Sequence, residues 1–340
     1  MPRVSVGPMR AWQITDRGAP RDVLARSDLD VPEPGPGELR LTVRAAAVGM
    51  PDAFMCRGSY AFRPALPFVA GQEVCGTVDA IGEGVEVPIG SRRMAVTNFF
   101  DGRGGFAEYT IVRDESAFRV PEEMTDTQAA GFRIGYSTAW VGLVRRGHLQ
   151  RGDRLLVLGA AGGSGSTALA LGRALGATTI AVVGGPEKAA LCDALGADVV
   201  IDRTVHSVPD AVNEITDGRG VDLVYDPVGG DAADATVGCL ARDARLLAIG
   251  FASGRWAAPD VWALVRRNAA LVGVYAGGYS RAENAADHDA LLALWEAGEL
   301  RAPETTVVPF DALPDAVALV DEGRAAGKVV VQVAGYAGKR

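Results

Sequence analysis

A chain of 340 residues, 48% hydrophobic and 22% charged, exceeds what one core usually organises and reads as a two-domain soluble enzyme. Its net charge of −8 repels phosphate backbones and argues against a nucleic-acid binder. The opening Met1-Pro2-Arg3-Val4-Ser5-Val6 lacks the apolar run of a signal peptide, and no run of about 18 apolar residues escapes interruption, so a cytoplasmic protein without membrane contact is expected.

In chain order, Glu38–Arg44 alternates polar and apolar residues and predicts a half-buried strand. Val74–Val87 sets Gly76, Gly82 and Gly84 between short apolar pairs, the texture of strands turning sharply in a small barrel-like sheet. Gly105–Val112 predicts a further strand. The pattern changes near Pro121. From there Leu155–Leu158, Ile180–Val183, Val199–Ile201, Leu223–Tyr225, Leu246–Ile249 and Leu271–Tyr275 alternate with helical stretches, the signature of repeated strand–helix units and a parallel sheet. Six such strands complete a doubly wound nucleotide domain. A helical stretch at Asp287–Ala297 and a last strand at Lys328–Val333 are too short to fold alone and should pack back onto the first domain. The cysteines Cys56, Cys75, Cys192 and Cys239 lie far apart without a CxxC pair and read as reduced thiols.

The strongest chemical signal follows the Leu155 strand: Gly159-Ala160-Ala161-Gly162-Gly163-Ser164-Gly165, leading into a helix at Ser166–Leu175. Gly162 lets a pyrophosphate approach the backbone, and Gly165 lets helix and strand pack closely. The helix N-terminus, at Ala161 to Ser164, supplies free N–H groups and a partial positive charge. The next strand ends in Gly184-Gly185-Pro186-Glu187-Lys188, with no carboxylate at its tip to hold a ribose 2′-hydroxyl. Lys188, or Arg203 from the neighbouring strand, has room to meet a 2′-phosphate, which points to NADPH; either is otherwise a solvated surface charge.

With these residues in hand, the chain resembles the medium-chain dehydrogenase/reductases in their zinc-independent quinone oxidoreductase (zeta-crystallin-like) branch. The likeness rests on Gly49-Met50-Pro51-Asp52, Arg57-Gly58-Ser59-Tyr60, Leu66 through Val78, Gly105-Phe106-Ala107-Glu108-Tyr109, Tyr136-Ser137-Thr138-Ala139-Trp140, the glycine loop, Val224 through Gly230, Ile249 through Gly254, and Gly327-Lys328. It implies an α/β protein in which a Rossmann doubly wound domain, residues 124–278, is inserted into a GroES-like, barrel-type catalytic domain of residues 1–123 plus 279–340. A homodimer and an acceptor cleft between the domains are also implied. The family's alcohol dehydrogenase branch binds catalytic zinc; its ligand positions correspond here to Gly49, Gln72 and Ile134, none able to hold the metal, so no zinc is expected.

Without a Lewis acid, the chemistry expected is hydride transfer from NADPH to a small electrophilic acceptor, a quinone or an α,β-unsaturated carbonyl. By resemblance Thr138 lies near the nicotinamide, Gly250, Phe251 and Ala252 line the cofactor trough, and Val274 and Tyr275 approach the carboxamide. Tyr60 either donates a hydrogen bond or proton to the acceptor or packs in the loop before Pro64. Asp52 reads as a turn partner and Glu73 as an interior anchor. Gly49 stands where many members carry Asn, which implies a roomier pocket. An enoyl-thioester reductase and a non-catalytic NADPH-binding protein remain open alternatives.

Overall fold

The computed structural model describes residues 7–333. They form two units, one of the residues up to Ile134 with those from Glu304 onward, the other of Gly135–Pro303. The chain begins with β1 (Met9–Ile14), α1 (Pro20–Val23), β2 (Leu24–Leu29), β3 (Glu38–Val48), α2 (Met50–Arg57), β4 (Phe68–Val69), β5 (Glu73–Ile81), β6 (Arg92–Val96), β7 (Tyr109–Arg113), β8 (Ala117–Arg119) and α3 (Asp126–Trp140). Strand β3 outruns the alternation that predicted it. Ala45, Ala46 and Ala47 are all buried, so the strand continues where its polar face has ended. Along one edge β3 pairs with β5; along the other it carries β7 on its first half.

The strand expected from Gly105 begins only at Tyr109. A Cβ on Gly105 would lie 2.1 Å from Val74 Cγ1. The Phe106 N–H is taken by Ala70 O at 3.0 Å, so this stretch is held as a close-packed loop.

The second unit contains β9 (Arg154–Leu158), α4 (Gly163–Ala174), β10 (Thr178–Val183), α5 (Pro186–Ala194), β11 (Val199–Asp202), α6 (Val208–Ile215), β12 (Val221–Asp226), α7 (Gly230–Ala235), β13 (Leu240–Ala248), α8 (Val261–Val265), β14 (Ala270–Gly273) and α9 (Arg281–Glu296). Its six strands lie in the order β11-β10-β9-β12-β13-β14, every neighbouring pair parallel. This is the doubly wound sheet that the sequence predicted, with its crossover point between β9 and β12. β14 stops two residues short of the expected Tyr275, because Ala276–Gly278 turns the chain away. Leu156, Leu158, Ile180, Val182, Val224 and Leu246 form the core of this unit.

The chain then returns to the first unit as β15 (Thr305–Pro309), α10 (Leu313–Asp321) and β16 (Lys328–Gln332). β16 pairs antiparallel with the second half of β3, which puts the C-terminal strand in the first unit's seven-stranded sheet. The core there gathers Ile14, Leu39, Leu41, Phe106, Val317 and Val331.

Candidate nucleotide-binding site

The backbone turns out of β9 at Gly159, whose φ of +58° only glycine adopts freely, and enters α4 behind Gly162 as its N-terminal cap. Gly162 has no side chain with which to satisfy the first-turn N–H groups, so Gly163, Ser164 and Gly165 present donors that the helix cannot use. A Cβ on Gly165 would lie 2.3 Å from Gly159 O, whereas one on Gly162 would lie 3.3 Å from the same atom. Gly165 therefore sets how closely helix and strand approach, and Gly162 keeps the mouth of the turn open.

Ser164 Oγ lies 2.9 Å from Tyr225 Oη on β12, tying the start of α4 to the neighbouring strand across the crossover point. Burial pushes the Tyr225 phenol well above its ordinary range, so it stays a neutral hydroxyl. One residue on, Asp226 closes β12. Its Oδ1 accepts the N–H groups of Val228 (2.9 Å) and Gly229 (2.7 Å), and its carbonyl accepts those of Ile249 (2.9 Å) and Gly250 (3.1 Å). Burial raises its carboxyl above the usual range. No role was expected for Asp226; its signal in the sequence is a carboxylate immediately ahead of a Pro-Val-Gly-Gly turn.

At the end of β10, a Cβ on Gly184 would lie 3.1 Å from an Arg203 guanidinium nitrogen, so the arginine side chain lies over a surface kept clear by glycine. The exposed Arg203 is anchored through its N–H to Val183 O at 2.9 Å, and half-buried Lys188 sits in the first turn of α5. Between them Asp202, also unforeseen, accepts Gly185 N–H at 3.0 Å and Thr204 Oγ1–H at 2.7 Å; the Gly185 bond, first among these, holds its carboxyl below the usual range.

Gly250, Phe251 and Ala252 follow β13, with Ala252 N–H on Pro227 O at 3.2 Å and the Phe251 ring 4.8 Å from that of Trp256. Val274 N–H bonds Ala248 O at 3.1 Å, and Tyr275 stands 65% exposed beyond the strand. Thr138 lies half-buried on α3. The loop, Gly184, Arg203, Gly250 and Val274 thus share the C-terminal edge of one sheet.

Tyr60 belongs to the other unit, half-buried, its ring 5.9 Å from Phe62 and 6.5 Å from Phe99. There Asp52 divides its carboxylate between the N–H groups of Gly49 (2.8 Å) and Gly71 (3.0 Å). Full burial pushes this carboxyl up to about 7 against the pull of both bonds. Glu73 accepts Ile134 N–H at 2.7 Å and faces Lys328 Nζ at 2.9 Å, both side chains buried. The partners of Glu73 are thus a lysine and the backbone, in keeping with an interior anchor. Among the described residues no cluster of three or more His, Cys, Asp or Glu could hold a metal ion, and no helix is long and apolar enough to cross a membrane.

Residues 35–122 match the alcohol dehydrogenase GroES-like domain, and residues 195–331 match a family described as zinc-binding dehydrogenase. The chain is similar to the quinone oxidoreductase-like protein 2 homolog of Nematostella vectensis, 30% identical over 302 residues, 87% of this chain and 82% of that protein. Among solved structures it resembles a probable oxidoreductase from Mycobacterium abscessus (TM-score 0.86, 32% identity, covering 96% of this chain and 99% of that one). A mycobacterial protein complexed with NADPH gives a TM-score of 0.87 at 30% identity, covering 96% of this chain and 100% of that one.

Proposed function

The chain belongs to the medium-chain dehydrogenase/reductase superfamily, in its quinone oxidoreductase branch, and on that footing we propose that it is a zinc-independent, NADPH-dependent reductase of quinones or α,β-unsaturated carbonyls. The observation that carries the reading is the start of α4: unsatisfied N–H groups behind a cap without a side chain, in a turn whose glycines a Cβ would block. That cradle fits a pyrophosphate. Ala161 to Ser164 hold it, while Lys188 and Arg203 take a 2′-phosphate over Gly184. Gly250 to Ala252, Val274, Tyr275 and Thr138 line the remainder of the dinucleotide. Similarity to a protein solved with NADPH supports the assignment.

When bound, the nicotinamide would supply a hydride, one proton with two electrons, to the acceptor. The chain's work is to orient the reactants, exclude water and stabilise charge arriving on the acceptor oxygen. Zinc does not fit the donor set, since Gly49 and Ile134 offer no ligand side chain and Gln72 offers an amide in place of an imidazole. Tyr60, packed with Phe62 and Phe99, is read as a wall residue, and solvent supplies the proton.

The test follows NADPH absorbance against a panel of quinones, alkenals and enoyl thioesters. Turnover of quinones or alkenals is expected. Turnover confined to thioesters would reassign the enzyme, and NADPH binding without turnover would make it a non-catalytic binder.

A further inference from the structure

Arg203 and Lys188 stand on different segments of the second unit, and one carboxylate joins those segments. β10 and β11 run parallel, with Val183 opposite Asp202 as their last paired residues. Past that pair one segment turns through Gly184 and Gly185 into α5, whose first turn carries Lys188, and the other continues into Arg203 and Thr204. Asp202 Oδ1 ties the two together. It accepts Gly185 N–H at 3.0 Å, Thr204 N–H at 2.9 Å and Thr204 Oγ1–H at 2.7 Å. The Gly185 bond fixes where α5 starts, because Gly185 is its N-terminal cap, at a φ of +93°. The Thr204 bonds fold the chain back on itself around Arg203, whose own N–H is held by Val183 O at 2.9 Å and whose guanidinium lies against Gly184. A single side-chain oxygen thus fixes how the segment bearing Lys188 lies against the one bearing Arg203.

We propose that Asp202 is a positioning residue for cofactor selection, acting through Arg203 and Lys188 to hold both cations ready for one 2′-phosphate. The assignment rests on the NADPH reading above. Cations whose backbones are fixed before the ligand arrives lose less freedom on binding, so a residue without ligand contact raises affinity. By charge alone a carboxylate in this region opposes a phosphate, and its removal would tighten binding. Positioning has the opposite sign: losing the acceptor oxygen weakens binding, and losing only the charge does not.

The experiment measures adenosine 2′,5′-bisphosphate and adenosine 5′-monophosphate by calorimetry against the wild-type protein, Asp202→Ala and Asp202→Asn. The two ligands differ only by the 2′-phosphate. The Ala variant loses all three bonds and should bind the bisphosphate about tenfold more weakly, with the monophosphate within about twofold of wild type. The Asn variant keeps an Oδ1 acceptor and drops the charge, so its bisphosphate affinity should equal or exceed that of wild type. An Ala variant that keeps or raises the preference for the bisphosphate overturns the proposal. So does equal weakening of both ligands, which would make the role purely structural, and so does an Asn variant as weak as Ala. If the Ala variant does not fold, Thr204→Val at an exposed position removes one of the three bonds. It should weaken the bisphosphate alone, about threefold, and an unchanged preference overturns the assignment. Failure of the NADPH reading shows separately, in the wild type: equal affinity for the two ligands, or none for either, removes the 2′-phosphate site and Asp202's role with it.

Discussion

The hydroxyls of Ser164 and Tyr225 lie 2.9 Å apart and join the helix that opens the nucleotide cradle to the strand beside it. Since Tyr225 is buried, this contact holds Ser164, and with it the first turn of α4, in register with β12. Tyr225→Phe should cost about 1 kcal/mol of stability by urea unfolding, the usual net worth of one hydrogen bond, and weaken NADPH binding severalfold. Unchanged values in both measurements would remove any role for the pair.

The two cradle glycines should behave differently. Gly165→Ala forces a Cβ to 2.3 Å from backbone that cannot yield, so it should destabilise the fold by about 3 kcal/mol or more. Gly162→Ala meets its neighbour at 3.3 Å, and should fold yet lose affinity for NADPH. Circular dichroism melts and fluorescence titration separate the outcomes.

The proposed 2′-phosphate site, Arg203 lying against Gly184 with Lys188 in the first turn of α5, is tested through cofactor preference. Arg203→Ala and Lys188→Ala should each lower the NADPH/NADH affinity ratio about tenfold, through loss of a charge-assisted bond to the 2′-phosphate. The effect should shrink as salt is raised. If only one variant moves the ratio, the other cation takes no part in phosphate selection.

Glu73→Gln leaves Lys328 buried opposite an uncharged group. A loss of about 3–5 kcal/mol is expected in denaturant unfolding. Pairing it with Lys328→Met should recover much of that, because the stranded ammonium is removed.

Asp52 makes stability depend on pH with a definite sign. Burial pushes its carboxyl up to about 7 in the folded protein, well above the usual carboxylate range. Between about pH 4 and 7 the folded state therefore binds the extra proton, and the contribution of this group to stability falls as pH rises. Glu38, Glu108 and Asp222, held low against their partial burial by hydrogen bonds from Arg103, Arg10 (backbone N–H first) and Arg154, act in the opposite direction. Subtracting the urea-unfolding profile of Asp52→Asn from that of wild type cancels them, and the difference should decline across the window. A flat difference contradicts the assignment.

Much of the fold was written locally. The six apolar runs from Leu155 became six parallel strands because a strand covered on both faces must be apolar along nearly its whole length, a pattern visible without neighbours. The glycine loop was equally legible, since the close approach at Gly165 tolerates no side chain. Where local pattern misled, a neighbour had intervened: Val74 crowding Gly105 shortened one strand, and the turn at Ala276–Gly278 ended another at Gly273.

The sequence by itself determined the fold class, the glycine turn that opens α4 and the absence of ligand side chains at Gly49 and Ile134, because each depends on residue type and short spacing. Only the tertiary structure decided that Asp226 organises the turn after β12, that Glu73 meets Lys328, and that Gln72 Nε2 has no hydrogen-bond partner among the described residues. Those are facts of burial and long-range contact. A hydrogen bond between segments far apart in the chain leaves no periodicity for a sequence to show.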